Sequence, residues 1–490
     1  MYEHDSKRKL RLRLTFTYAV MILTTLGLVV VALFIALGYR YNQFDGRFEQ
    51  GGMIQFNSRP SGAEIQLDAV KLSNRTATRI TATAGNHAVM VSRDGYKPWQ
   101  KQATVKPGAV LWLNYVRLVP TDPKIETAAT YGSIASVMAS FDRSRFAVIE
   151  NDTQPTVTFS RVHDANVEHS SVTVPDDKIT TPSAAGSSRF SLAGWDYANK
   201  RVLVLHTYDD SKTEYLLVSK DSGDPARNIS TEFGISIAEL QYDPTDSNIA
   251  YVLTTNHDIR RLNLSTSTLS GPLVTNASSL VVAYNGWIGY ATHPDVSGVR
   301  TVGYVSKDKL TAKTVQTFTN MSGRSLSYTI ASYYNELYQL VVAGDSATVY
   351  HAELPGSDST DVIKSKTIAK LSLAKDVAFA GFSPREQRFV YIQNGRDIVT
   401  YDLELSSIAT VAPSAALNAK IGWLDDFHLL STADGTIEFM DYDGTNMQTL
   451  ARGASHAATL LAGNDKFFYY FTRDEAAGTV RLMRLSLTTE

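Results

Sequence analysis

The chain of 490 residues contains no cysteine, which removes thiol nucleophiles, iron–sulfur clusters, Cys-ligated zinc and disulfide frameworks together. Its ten histidines are scattered, with no HExxH and no His-x-His pair, so a zinc site would need ligands from distant segments. The sequence holds no GxSxG, P-loop or GxGxxG motif. The run Asp441-Tyr442-Asp443-Gly444-Thr445-Asn446 sets oxygen ligands at alternate positions, as calcium loops do. It lacks a third Asp and the bidentate Glu such loops need, and reads better as a turn between strands. Asp434-Gly435 is likewise a hairpin signal, and Ser431 and Asp434 do not have the spacing of a sialidase Asp-box. Two carboxylates for glycoside hydrolysis stay open at this level, because such a pair is defined by separation in space. Trp195, Trp287 and Trp423 could stack on sugar rings, yet they recur at one period, which favours packing between repeated units. The residue types therefore nominate no catalytic, cofactor-binding or metal-ligating residue, and no cofactor is expected.

Hydrophobic residues make up 43% and charged residues 20%, a globular balance that excludes a disordered or collagen-like chain. A net charge of -2 supplies no basic field for nucleic acid. The charge is nonetheless uneven. Lys7, Arg8, Lys9, Arg11 and Arg13 outweigh Glu3 and Asp5 within residues 1–14, and the 24 residues from Thr15 to Gly38 carry no charge at all. About 20 apolar residues cross a bilayer core, so 15–38 reads as a transmembrane helix behind a basic tail. The positive-inside rule places that tail in the cytoplasm and everything after Gly38 outside it. A cleaved signal peptide is the competing reading, with Ala36-Leu37-Gly38 as a small-x-small site. The length of the apolar run favours an uncleaved anchor, since signal cores span only about 7 to 15 residues. An extracytoplasmic body also suits a chain with no thiol to oxidise.

After a connector at 39–51, the pattern changes to short alternating runs: Met53 to Phe56, Ala63 to Asp68, Ala77 to Thr83, His87 to Gly95, Trp99 to Val105 and Ala109 to Leu118. Turn residues separate them at Pro60-Ser61-Gly62, Gly85-Asn86, Asp94-Gly95 and Pro107-Gly108, which predicts a small β-sandwich over 52–120. The segments Ser58-Arg59-Pro60-Ser61-Gly62-Ala63-Glu64-Ile65, Ala84-Gly85-Asn86-His87-Ala88-Val89-Met90-Val91 and Asp94-Gly95-Tyr96 with Trp99 make this stretch resemble the PEGA domain. Ser61 departs from the Glu of the family's name, and Thr76-Ala77 stands where Thr-Pro is common. The resemblance implies a non-catalytic module of cell-envelope proteins and names no ligand residues.

Residues 121–490 repeat. A unit opens on a bulky residue, continues through an apolar strand and a turn, and ends on a second strand. Openings fall near Phe141, Trp195, Tyr242, Tyr284, Tyr333, Phe382, Trp423 and Asn464, at intervals of 41 to 54 residues. That is the period of a four-stranded propeller blade, and radial repetition protects edges that an open sheet of this size would expose. Eight blades are expected, or seven if the unit at Tyr333, which lacks a good turn signal, is an insertion. A strand within 125–137 is expected to close the ring on the last blade. GFSPREQRFVYIQNGRDIVTYDLEL from Gly381 and DGTIEFMDYDGTNMQTL from Asp434 resemble repeats of TolB-type propellers, which implies docking of peptides or proteins on a face without catalytic machinery.

The fold class expected is all-β: one transmembrane helix, a PEGA-like sandwich and a large propeller. The function expected is that of a single-pass, membrane-anchored, extracytoplasmic binding or scaffold protein of the cell envelope and not an enzyme. Its expected partner is an envelope protein or a surface polysaccharide, with no nucleic acid. A propeller enzyme acting on extracellular carbohydrate and a self-associating surface coat are the alternatives.

Overall fold

The computed structural model describes residues 3–36, 39–42, 47–163, 166–183, 186–209, 211–221, 226–307, 309–319, 321, 323–353, 363–373, 377, 379–394, 397–411 and 422–489. The chain divides into two compact units, 1–122 and 123–490.

Helix α1 (Glu3–Ala36) opens the first unit, and its segment Arg13–Phe34 has a mean hydropathy of 2.3 with none of it buried. Hydroxyls in such a segment need partners. Thr17, Thr24 and Thr25 each donate to the carbonyl four residues back, at Arg13, Val20 and Met21. A hairpin of β1 (Tyr39–Asn42) and β2 (Arg47–Gln50) follows, with Tyr39 opposite Gln50.

The small β domain has seven strands: β3 (Gly52–Arg59), β4 (Glu64–Leu67), β5 (Val70–Arg75), β6 (Thr78–Ala82), β7 (Gly85–Ser92), β8 (Trp99–Val105) and β9 (Val110–Arg117). They form two sheets, β6-β3-β9 and β5-β4-β7-β8, with β3 parallel to β9 and the other pairs antiparallel. Alternation sends Ile54 and Phe56 of β3, Ile65 of β4, Val89 and Val91 of β7, Trp99 of β8 and Leu113 of β9 into a shared core, each at most 2% exposed. Trp99 meets Tyr115 edge-on at 6.1 Å. Six of these strands match the alternating runs in the sequence. The seventh, β5, is exposed along nearly its whole length and so carries no alternation to read. The peptide bonds Arg59-Pro60 and Thr76-Ala77 are both cis.

The second unit is a β-propeller. Among the described residues it contains eight four-stranded antiparallel sheets. Blades 1 to 7 occupy 136–173, 189–228, 237–269, 277–318, 326–372, 379–411 and 422–452. Blade 8 takes three strands from 460–486 and its fourth from β10 (Ile125–Tyr131), which pairs with Thr479–Ser486 and so closes the ring with the two ends of the unit. Strands in each blade are called A to D in chain order, with β10 as strand D of blade 8. A-strands of neighbouring blades touch one another (blades 1 and 2, 3 and 4, 4 and 5), so strand A lies innermost.

The apolar core lies between blades. Ala147, Phe159, Trp195, Val204 and Leu216 join blades 1 and 2, and Tyr131, Phe146, Leu460, Tyr469 and Phe471 join blades 8 and 1. Comparable clusters fill the gaps from blade 2 through blade 7. A B-strand packed by a blade on each side has no solvent face, which is why Ile249–Thr254 is buried at every position. An outer strand such as Asn166–Thr173 is mostly exposed.

Eight blades resolve the count left open by the sequence. The weak unit at Tyr333 is a hairpin in which Leu326–Tyr333 and Glu336–Ala343 pair residue for residue. Its turn residues Tyr334 and Asn335 both take positive φ, at 49° and 61°. A tyrosine there hides the turn from sequence rules that look for Gly or Asp.

Candidate functional site

The turns between strands A and B all lie at one end of the blades, and their chemistry repeats. In blades 1, 3, 4, 7 and 8 a side-chain oxygen caps the backbone two residues on: Asp142 accepts from Ser144, Asp243 from Thr245, Asn285 from Trp287, Asp425 from Phe427 and Asn464 from Lys466. Asx turns of this kind shape a tight loop without glycine. Blade 2 uses the fully buried Asp196, which accepts from the backbone of Lys200 and Arg201 and from Nε of Arg201 at 2.9 Å. Blade 6 uses the Ser383 hydroxyl, which accepts from the Phe389 backbone. The bulky openings read in the sequence all fall at the end of strand A or in this turn.

With their backbones held, these turns project aromatic rings across the ring axis. Phe141 of blade 1 stacks on Tyr197 of blade 2 with centroids 4.4 Å apart and planes 7° from parallel. Tyr197 meets Tyr284 of blade 4 edge-on at 5.8 Å, two places away in the ring. Arg385 of blade 6 donates to the Phe141 carbonyl at 3.2 Å, three places away, while its backbone donates to Asp426 of blade 7 at 2.7 Å. Asn199 of blade 2 accepts from the Asp142 backbone, and Arg143 of blade 1 lies 3.6 Å from Asp465 of blade 8. Turns from blades 1, 2, 4, 6, 7 and 8 are thus linked over one face.

The rings stay accessible there. Phe141 is 48% exposed and Tyr284 46%, with Tyr334 of blade 5 at 79% on the same face. Burial, with the nearby Tyr284 and the Asp243 carboxylate, raises the Tyr197 hydroxyl above its ordinary range, so it remains a neutral donor. At the blade 6 and 7 side, burial and the charge of Asp426 raise the Glu386 carboxyl. The surface therefore offers aromatic faces, a guanidinium and carboxylates, a combination suited to planar or amphipathic ligands and protein side chains.

The three tryptophans are structural. Trp195 is 2% exposed, packs edge-on to Phe159 and donates to the Met138 carbonyl. Trp287 packs on Tyr304 at 5.1 Å, and Trp423 lies between Phe389 and Tyr391. Residues 441–446 form the turn between Thr436–Asp441 and Gln448–Arg452, where the Asp441 carboxylate accepts from Asn446 and the Asp443 carboxylate from Thr445. Asp434 and Gly435 take positive φ in a two-residue hairpin. Asn394-Gly395, which the run from Gly381 sets as a turn between two strands, falls partly outside the described residues. Among the described residues no three His, Asp or Glu side chains come together as a metal site.

One further cluster resembles catalytic geometry. The Ser188 hydroxyl lies 2.9 Å from Nε2 of His206, whose Nδ1 lies 2.8 Å from Oε1 of Glu214. His206 is wholly buried, stacked between Phe190 at 4.4 Å and Tyr208 at 5.0 Å. Glu214 also accepts from the backbone and hydroxyl of Thr180 and from the Asn228 amide. Burial opposes ionisation, yet the bonds from His206, Thr180 and Asn228 hold the Glu214 carboxyl down at about 2. The arms end on the outer strand of blade 2 at Asn228 and on the segment leading into the blade at Thr180 and Ser188, which makes the cluster a staple for that blade.

Residues 52–121 match the PEGA domain. No curated protein matches the chain significantly. Similar solved structures include oligogalacturonate lyase in complex with manganese, at 9% identity over 75% of this chain and 98% of that one, with a TM-score of 0.41. The β-propeller domain of a Myceliophteria thermophila protein matches at 11% identity over 74% and 100%, with a TM-score of 0.40. A eukaryotic initiation factor matches at 14% over 73% and 87%, with a TM-score of 0.41. The strand order, and not these likenesses, makes the body a propeller. A PEGA domain joined to a propeller supports a binding or scaffold role.

Proposed function

We propose that this is a single-pass, membrane-anchored protein of the cell envelope whose propeller binds its partner on the face formed by the A–B turns. The observation that carries the reading is the meeting of Phe141, Tyr197 and Tyr284 from three blades, two of them about half exposed, on capped and cross-linked turns. Rings held this way lose little entropy on binding, which is the property of an anchor residue in a recognition surface. The apolar segment of α1 serves as the anchor, with the basic tail in the cytoplasm and both β units outside it. The partner is an envelope protein or a surface polysaccharide, and nucleic acid is disfavoured by the net charge of -2.

Binding fits this face better than hydrolysis. Among the described residues the carboxylates that act on Glu386, whose own carboxyl is raised, are Asp426 and Asp425 of blade 7 and Glu404 of blade 6, all on its own side of the ring. The full chain in detergent, immobilised and exposed to envelope proteins and envelope polysaccharides, should capture one of them saturably. Absence of saturable capture, with self-association in its place, would turn the reading toward a surface coat.

A further inference from the structure

The outer face of the sheet β6-β3-β9 carries an apolar strip that the fold leaves uncovered. Register sets Arg79, Gln55 and Trp112 in one row across the sheet and Thr81, Met53 and Val110 in the next. Met53 is 37% exposed, Val110 39% and Trp112 36%. Three large apolar side chains side by side on an exterior sheet face mark a contact surface.

The path of the tether identifies what covers it. Tyr39, which directly follows the apolar run 15–38, pairs with Gln50, so the β1-β2 hairpin returns the chain to the end of the helix. Gly51 and Gly52 then pass through a gap that admits no side chain. A Cβ on Gly51 would lie 2.6 Å from the Ala82 carbonyl oxygen, and one on Gly52 2.5 Å from Val105 and 2.6 Å from the Lys106 carbonyl oxygen. The Gly108 amide donates to Gly51 and the Met53 amide to Ala109, both at 2.9 Å. The tether therefore enters the middle strand directly beside the β8-β9 turn. From Gln50 to Met53 is three residues, about 10 Å of extended chain, against a headgroup layer about 5 to 7 Å deep on each side of a bilayer.

We infer that this sheet face lies on the lipid surface, with Trp112, Met53 and Val110 entering the interfacial layer and Arg79 meeting lipid phosphate. Tryptophan suits that depth because its ring is apolar and its N–H polar, and a cation beside an anionic headgroup adds attraction. The inference rests on the reading of α1 as an uncleaved anchor. It makes the small domain a foot that fixes its own sheet on the membrane.

The test uses the full chain reconstituted in phosphatidylcholine–phosphatidylglycerol vesicles, with and without lipids brominated near the glycerol backbone, comparing wild type with Trp112→Phe. Bromine quenches tryptophan only at contact distance. Flotation with the vesicles, together with quenching by the lipid bromines that removes up to about one fifth of the emission in wild type and is lost in Trp112→Phe, is the expected result, since Trp112 is one of five tryptophans. Flotation with equal quenching of both proteins would overturn the apposition and leave the anchor standing. Failure to float would overturn the anchor itself. A detergent-soluble dimer that Trp112→Phe converts to a monomer would assign the strip to a second copy of the chain and likewise overturn the inference.

Discussion

Replacing Glu214 by Gln keeps the shape of a buried group while removing the charge that His206, Thr180 and Asn228 hold in place. The folded carboxyl sits at about 2 against an ordinary 4.5. At about 1.4 kcal/mol per unit, the ionised group contributes about 3 kcal/mol of stability at neutral pH. The sign follows from the depression: the contribution is complete above the unfolded value of 4.5 and is lost as pH falls toward the folded value of about 2. About 2 kcal/mol of it should be gone by pH 3. Urea unfolding can be followed through tryptophan emission, to which Trp195, in the core between blades 1 and 2, contributes as one of five. Wild type should exceed Glu214→Gln by about 3 kcal/mol at pH 7, and the gap should narrow to about 1 kcal/mol at pH 3. Curves that stay parallel over that range would refute the assignment of the low carboxyl to Glu214.

Asp196→Ala leaves three donors of Lys200 and Arg201 without their buried acceptor and should destabilise the propeller by about 3 to 5 kcal/mol in the same unfolding assay. Gly52→Ala drives a methyl group into Val105 and the Lys106 carbonyl, and should cost the small domain about 1 to 3 kcal/mol, read as faster amide exchange in β3 and β9. Protease added outside intact or wall-stripped cells should digest residues 53–490 and spare the basic tail, whereas full protection would contradict the proposed topology.

Much of the architecture was legible because blades repeat chemistry as well as length. In blades 1, 3 and 4 the opening residue stands at or just past the end of an inner strand and the Asp or Asn beside it caps the turn, at Phe141-Asp142, Tyr242-Asp243 and Tyr284-Asn285. The closing strand could be anticipated because a ring of sheets leaves one edge to be paired, and β10 fills it. Strand β5 was not legible, since a strand exposed along nearly its whole length has no alternation. The turn at Tyr334-Asn335 was hidden by a tyrosine in a conformation that usually calls for glycine.

The candidate face was only half visible. Phe141 and Tyr284 stood out as repeat markers, but their exposure depends on turns leaning across the axis, and that follows from ring closure and not from spacing. Tyr197 follows the Trp195-Asp196 pair and carries no periodic signal of its own, yet it is the ring that joins the other two. The tryptophans show the reverse case, in which the residue type suggests a platform and the repeat position packs the ring between blades, fully buried at Trp195 and partly buried at Trp287 and Trp423.

The claim that the A–B-turn face is the recognition surface is tested most directly by the dissociation constant of the captured envelope partner for wild type and for Phe141→Ala/Tyr284→Ala. Both rings are about half exposed, so the double variant should keep the wild-type unfolding midpoint within narrow limits. Loss of two anchor residues should weaken binding by about 30-fold, the equivalent of about 2 kcal/mol. An unchanged dissociation constant with intact folding would contradict the account and place recognition elsewhere on the molecule.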